Sequence, residues 1–152
     1  MGLKPKFSKD DVRQMFNIKL QRIEDVIISR LNLIGLSFFK NARENGTYNN
    51  ITGNLRSSIG YIVLKNGKTV QQNFEASDKG SDKATGLSAG RSYANEVKKK
   101  FGRGYVLICV AGMQYAASVE SKGKDVITAS AITAKNDLIA STARFKRKVG
   151  NL

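Results

Sequence analysis

The sequence predicts an α+β protein: a long N-terminal helix, a mainly antiparallel sheet of about four strands, and a C-terminal helix. Three observations carry that expectation. Apolar residues recur at spacings of three and four from Val12 to Ala42, the mark of one helical stripe. Two strand-like runs, Ile59–Lys65 and Lys68–Phe74, flank Asn66-Gly67, a dipeptide that signals a two-residue hairpin turn. Between these patterns lies Thr52–Leu64, TGNLRSSIGYIVL, where a helical period gives way to a strand.

Taken in order, residues 1–7 form a basic arm, expected to be mobile. Ser8 with Asp11 three positions on makes a capping box that uses Asp in place of Glu. Val12, Phe16, Leu20, Ile23, Ile27, Leu31, Ile34, Phe38 and Ala42 then fall on one face. Asp10 and Asp11 near the start, with Lys40 and Arg43 near the end, suit the helix dipole. From Lys9 to Glu44 the helix spans about 54 Å at ~1.5 Å per residue. A compact chain of this size measures only about 35–40 Å across. Either Gly35 bends the helix or part of it packs against another subunit, and the second is the expectation here.

Asn45-Gly46 ends that helix, and residues 47–50 form a polar loop. Thr52 caps a helical turn, Leu55 and Ile59 share a face, and Gly60 releases the chain into the first strand. Pairing across the hairpin sets Val63 opposite Val70, Tyr61 opposite Gln72 and Ile59 opposite Phe74, with Lys65 opposite Lys68. Residues 77–90, SDKGSDKATGLSAG, are small, polar and glycine-rich, which predicts a long exposed loop. Tyr93, Val97 and Phe101 mark a short helix closed by Gly102. The apolar run Tyr105–Ala111 predicts a central strand buried on both faces. A helical turn at Tyr115–Glu120, a further strand at Asp125–Ala129 and a last helix capped by Ser130 complete the chain. Ile132, Leu138, Ile139, Phe145 and Val149 give that helix its apolar side.

The 152 residues, 41% of them apolar, suffice for one domain, 1–152, with a real core. Lysine and arginine number 26 against 12 acids, a net +14, which calls for an acidic partner: nucleic acid, an acidic protein surface or an anionic membrane. Cys109 stands alone and histidine is absent. That excludes an internal disulfide, a His-based triad and the common zinc sites. No cofactor or metal is expected. The start lacks the apolar core of a signal peptide, and no apolar run approaches the ~18 residues of a membrane span. A soluble intracellular product, off the membrane, is the expectation.

Short chemical matches have plainer explanations. Gly67-Lys68-Thr69 ends like a phosphate-binding loop, but the required earlier glycine falls on Ile62. Arg103-Gly104-Tyr105-Val106 opens like an RNA-recognition strand, yet the following residues lack its second aromatic. The twelve acids are scattered, so no acid–base pair stands out and the chain is not expected to be an enzyme. Two basic clusters remain as candidate contacts for an acidic partner or DNA, the alternative being a solvated face. Lys98, Lys99 and Lys100 close a helix, where cations are locally favourable. Arg144, Lys146, Arg147 and Lys148 exceed what capping needs, and Lys4, Lys6 and Lys9 make the other terminus basic too.

A long first helix, then Thr52, Gly53, Leu55, Ser58 and Ile59 with Arg56 between, then Tyr115, Ala116, Val119 and Glu120 ahead of Gly123: this order resembles the neck and tail-completion (minor tail, head–tail joining) proteins of tailed bacteriophages. Two features depart from the family pattern. The glycine follows the glutamate by three residues instead of two, and KDVITASAIT stands where a proline-containing segment is usual. The resemblance implies a structural virion protein, made in the host cytoplasm and built into a homo-oligomeric ring of six or twelve copies at the portal-to-tail junction. Its partners would be itself, portal or adaptor proteins and tail proteins, with DNA passing through the lumen. The alternative is a small basic nucleic-acid-binding protein.

Overall fold

In the computed structural model the first helix, α1 (Lys9–Asn45), starts where the capping box places it. Asp11 N donates to Ser8 Oγ at 3.1 Å and Ser8 N donates to Asp11 Oδ2 at 2.7 Å. The structure describes residues 2–4 and 6–151; Met1 and Pro5 of the basic arm, and Leu152, lie outside the described residues. α1 runs unbroken through Gly35, where the bare backbone receives the Tyr61 ring. A short helix α2 (Asn54–Ser57) follows, then β1 (Ile59–Lys65), β2 (Lys68–Phe74), α3 (Lys83–Lys98), β3 (Tyr105–Ala111), α4 (Ala116–Ser121) and α5 (Thr128–Gly150).

The sheet has three strands in the order β2-β1-β3, all antiparallel. The central strand is therefore β1 and not Tyr105–Ala111, which lies at an edge. β1 is buried along nearly its whole length, because helices cover both faces of the sheet. Ile59, Tyr61 and Val63 face α1 and α5 together with Leu31, Ile34 and Phe38. Ile62 and Leu64 face α3 with Phe74, Ala94, Ile108 and Val110. The two cores share the one strand.

The expected fourth strand is absent. Around Asp125–Ala129 the backbone donors are taken by side chains: Glu120 Oε1 accepts from Val126, Ile127 and Thr128, and Asp125 Oδ1 accepts from Ala129. A segment whose N–H groups are spent on carboxylates has none left for a ladder. Those bonds start α5 at Thr128, so Ser130 is a buried residue within the helix and not its cap.

Asn66 and Gly67 take φ of 49° and 77°, as a two-residue hairpin turn requires, and Lys65 pairs with Lys68. Beyond the turn the pairing differs from the sequence expectation by one residue. Val63 lies opposite Gln71, Tyr61 opposite Asn73 and Gly60 opposite Phe74, with the register shift at Val63/Leu64. Val70 is the extra residue of a β-bulge. The gain is visible at Gly60, whose missing side chain leaves room for the Phe74 ring.

Residues 77–90 are not one loop, since α3 begins at Lys83. The glycines that spelled a loop serve a different end. Gly86 and Gly90, one helical turn apart, press against the backbone of Asn54 and Ser58. A side chain at either place would hold α3 away from the joint. α3 also takes in the short helix expected around Tyr93 and Val97, while Phe101 lies just past its end.

Candidate functional site

The joint that connects α1 to the sheet is built from buried polar groups, several of them hydrogen-bonded, while Tyr48 Oη, Asn54 Oδ1 and Arg56 Nε are buried without a partner among the described residues. Gly53 adopts φ 80° and lets the chain turn into α2; Thr52 Oγ1 accepts a long bond, 3.4 Å, from Asn54 N. Ser57 and Ser58 are both fully buried. Ser57 Oγ accepts from Ser77 N at 2.8 Å, and Ser58 Oγ donates to Leu55 O at 2.8 Å. Ser58 O accepts from Gly112 N at 3.1 Å, which ties the joint to the end of β3. Leu55 and Ile59 enter the core between α1 and the sheet.

Arg43 is central to this joint, although the sequence suggested only a dipole role for it. Its guanidinium donates to Arg56 O at 3.0 Å, to Glu75 O at 2.6 Å and to Ala76 O at 3.0 Å. It also lies over the Phe39 ring, 4.8 Å from the centroid. One side chain thus stitches the end of α1 to α2 and to the exit of β2. Burial lowers the Arg43 pKa.

The second motif folds up against the first. Tyr115 precedes α4, Ala116 is buried in the core and Val119 is half-buried. Thr52 and Leu55 meet Tyr115 and Val119 at a notch of about 330 Å³, with Tyr48 and Lys124 also in its wall. Among the described residues no carboxylate lines it, so it offers packing and hydrogen bonding and no acid–base pair. The Tyr48 phenol is raised in pKa by burial, which outweighs the nearby Arg56 and Arg43 charges.

Glu120 acts outside this notch, as the start of α5. Burial would raise its pKa, but the three backbone donors from 126–128 win, and the carboxyl is held below its usual range. A carboxylate facing a helix N-terminus is stabilised by both the unpaired N–H groups and the dipole.

The two basic clusters are not brought together. Lys98, Lys99 and Lys100 end α3, on one side of the sheet; Lys98 Nζ donates to Thr69 Oγ1 of β2 at 3.0 Å. Arg144, Lys146, Arg147 and Lys148 end α5, on the other side, packed against α1. Three of these four, Arg144, Arg147 and Lys148, border a groove of about 680 Å³ between α1 and α5. Val26, Ile27, Leu138 and Phe145 make its apolar lining. Sequence reasoning placed the cations but missed the groove, because only the tertiary fold sets α5 beside residues 26–31.

Cys109 faces the α1 core, and burial pushes its thiol up to about 12; it behaves as a small apolar residue. Among the described residues no group of histidine, cysteine, aspartate and glutamate is placed to hold a metal ion. Nor is any helix among them long and apolar enough to cross a membrane. No protein-family model matches the chain, and neither curated proteins nor solved structures include a significant match.

Proposed function

We propose that the chain is a non-enzymatic structural protein of a tailed-bacteriophage virion, forming a homo-oligomeric ring at the head-to-tail junction around the DNA path. The observation that carries this reading is the stripe along α1. From Leu31 to Ala42 it is buried by the chain's own sheet. From Val12 to Leu20 the same stripe stands bare, with Phe16 and Leu20 exposed at 65% and 56% and Met15, next to Phe16 in the chain, at 61%. An uncovered apolar face of this kind marks a contact with another protein. Copies of the same chain, arranged around an axis, would supply that cover. The joint and the notch then serve as architecture that fixes how each copy presents its helix.

The experiment has two readouts. The paired substitutions Phe16→Asp and Leu20→Asp should turn an oligomer, measured by light scattering after size exclusion, into a monomer with unchanged far-ultraviolet circular dichroism. Phage particles assembled without the chain should appear in negative stain as separate heads and tails. Normally joined particles would overturn the reading.

A second reading, nucleic-acid binding, is favoured by the charge alone. Twenty-six cations face twelve acids, and the described residues form a single ion pair, Lys65–Glu24 at 2.6 Å. The two clusters on opposite sides of the sheet present no common surface to one duplex, which weighs against it. DNA affinity of the monomer that falls steeply with salt would favour it.

A further inference from the structure

We infer that the groove between α1 and α5 is a docking site for an acidic amphipathic helical segment of another protein. Its floor is apolar, with Val26 from α1 and Phe145 from α5. Among the described residues its border carries four cations, Arg30, Arg144, Arg147 and Lys148, and no carboxylate. Two of them converge: Arg30 Nε donates to Ser141 Oγ at 2.8 Å, and Arg144 Nη2 reaches the same hydroxyl at 3.4 Å. Two guanidiniums gathered on one neutral oxygen repel each other, and an incoming carboxylate relieves that repulsion while accepting from both.

The dimensions suit a short helix. From Leu138 to Lys148 the α5 wall is about 15 Å long at ~1.5 Å per residue, the length of some three turns. Helix-in-groove recognition uses apolar anchors at i, i+3 or i+4 and i+7, which here would lie along Val26 and Phe145. Acidic residues beside the anchors would meet Arg30 on one wall and the Arg144, Arg147 and Lys148 face on the other.

Charge argues against a second copy as occupant. The exposed part of α1, Lys9–Arg22, carries Lys9, Arg13, Lys19 and Arg22 against Asp10 and Asp11, so it is repelled by this border. A nucleic-acid backbone would pair the cations but leave the apolar floor uncovered. The inference does not depend on ring formation, since the groove lies within one chain.

The test is fluorescence anisotropy with a labelled twelve-residue amphipathic peptide, leucine on one face and glutamate beside it. A version with glutamine in place of glutamate and a short DNA duplex run alongside. The glutamate peptide should bind at least tenfold more tightly than the glutamine peptide. Arg144→Glu with Arg147→Glu should weaken it at least tenfold, and so should Phe145→Ala. Lys98→Glu with Lys99→Glu, an equal charge change across the sheet, should leave it unchanged; circular dichroism confirms that each variant is folded. Equal binding of both peptides would overturn the proposal. So would DNA binding through the same arginines that is indifferent to Phe145→Ala, with no preference for the acidic peptide. Because the readout is peptide affinity, it is separable from the oligomeric state that tests the ring.

Discussion

Leu55 offers the sharpest test of the joint. It is 6% exposed and packs in the core between α1 and the sheet. Burying a leucine side chain contributes about 1.5–3 kcal/mol by transfer alone, and leucine-to-alanine changes in cores cost about 2.7–5 kcal/mol once the cavity is counted. Leu55 also borders the notch, so the space left by alanine joins an open recess, which limits the cavity cost. The result for Leu55→Ala is about 3 kcal/mol, a large part of the roughly 5–15 kcal/mol that holds a domain folded. At 2–4 °C per kcal/mol for a chain of this size, the melting temperature should fall by about 6–12 °C. Leu55→Asp adds an unpaired buried carboxylate and should leave the chain unfolded. Thermal melts by circular dichroism measure both. If Leu55→Ala melts within about 2 °C of the wild type, the joint does not anchor the core and the reasoning fails.

Glu120→Ala should cost about 1–2 kcal/mol, the worth of a helix N-cap, read as a lower urea midpoint at neutral pH. Its folded pKa lies below the ordinary glutamate value of 4.5, so its contribution is fully present above that value and is lost as pH falls through the folded pKa. The gap between wild type and Glu120→Ala should therefore close in acid; a gap independent of pH would refute the cap. Gly90→Val would drive a side chain into Ser58 O, where even a Cβ would stand 2.5 Å away. The expected loss is about 1–3 kcal/mol, as for other overpacked sites, and an unchanged melting temperature would show that α3 is free to shift.

Much of this fold was legible where a local signal and the tertiary demand agreed. The Ser8–Asp11 box, the α1 stripe, the Asn45-Gly46 stop and the Asn66-Gly67 turn each stand where the sequence put them. The misreadings share a cause: a residue chosen for a distant partner was taken for a local signal. Gly86 and Gly90 read as loop because glycine usually is, whereas here they admit the backbone of α2. Residues 125–129 read as a strand, but Glu120 accepts from three of their backbone donors. Phe74 sits one place off because a bulge and a glycine, not simple alternation, set its partner. The motif residues were found in sequence; that Thr52 and Leu55 meet Tyr115 and Val119 was not. Pairing of that kind depends on loops of unknown path, and the α1–α5 groove was hidden for the same reason.

The ion pair between Lys65 and Glu24 has a mechanical consequence. With the Tyr61 hydroxyl donating to Asn32 Oδ1 at 2.8 Å, it pins α1 where the helix leaves the sheet. Outward from Arg22 to Lys9 the helix is a rod about 21 Å long at ~1.5 Å per residue, and the 2.6 Å ion pair is the anchor nearest to it. A sideways load at the tip is multiplied by that arm before it reaches Tyr61 and the strand behind it. The pair is half-buried, so salt screens it in part, whereas the apolar contacts of the core are not screened. Salt therefore weakens this one anchor of α1 and leaves the Tyr61–Asn32 bond and the apolar core in place.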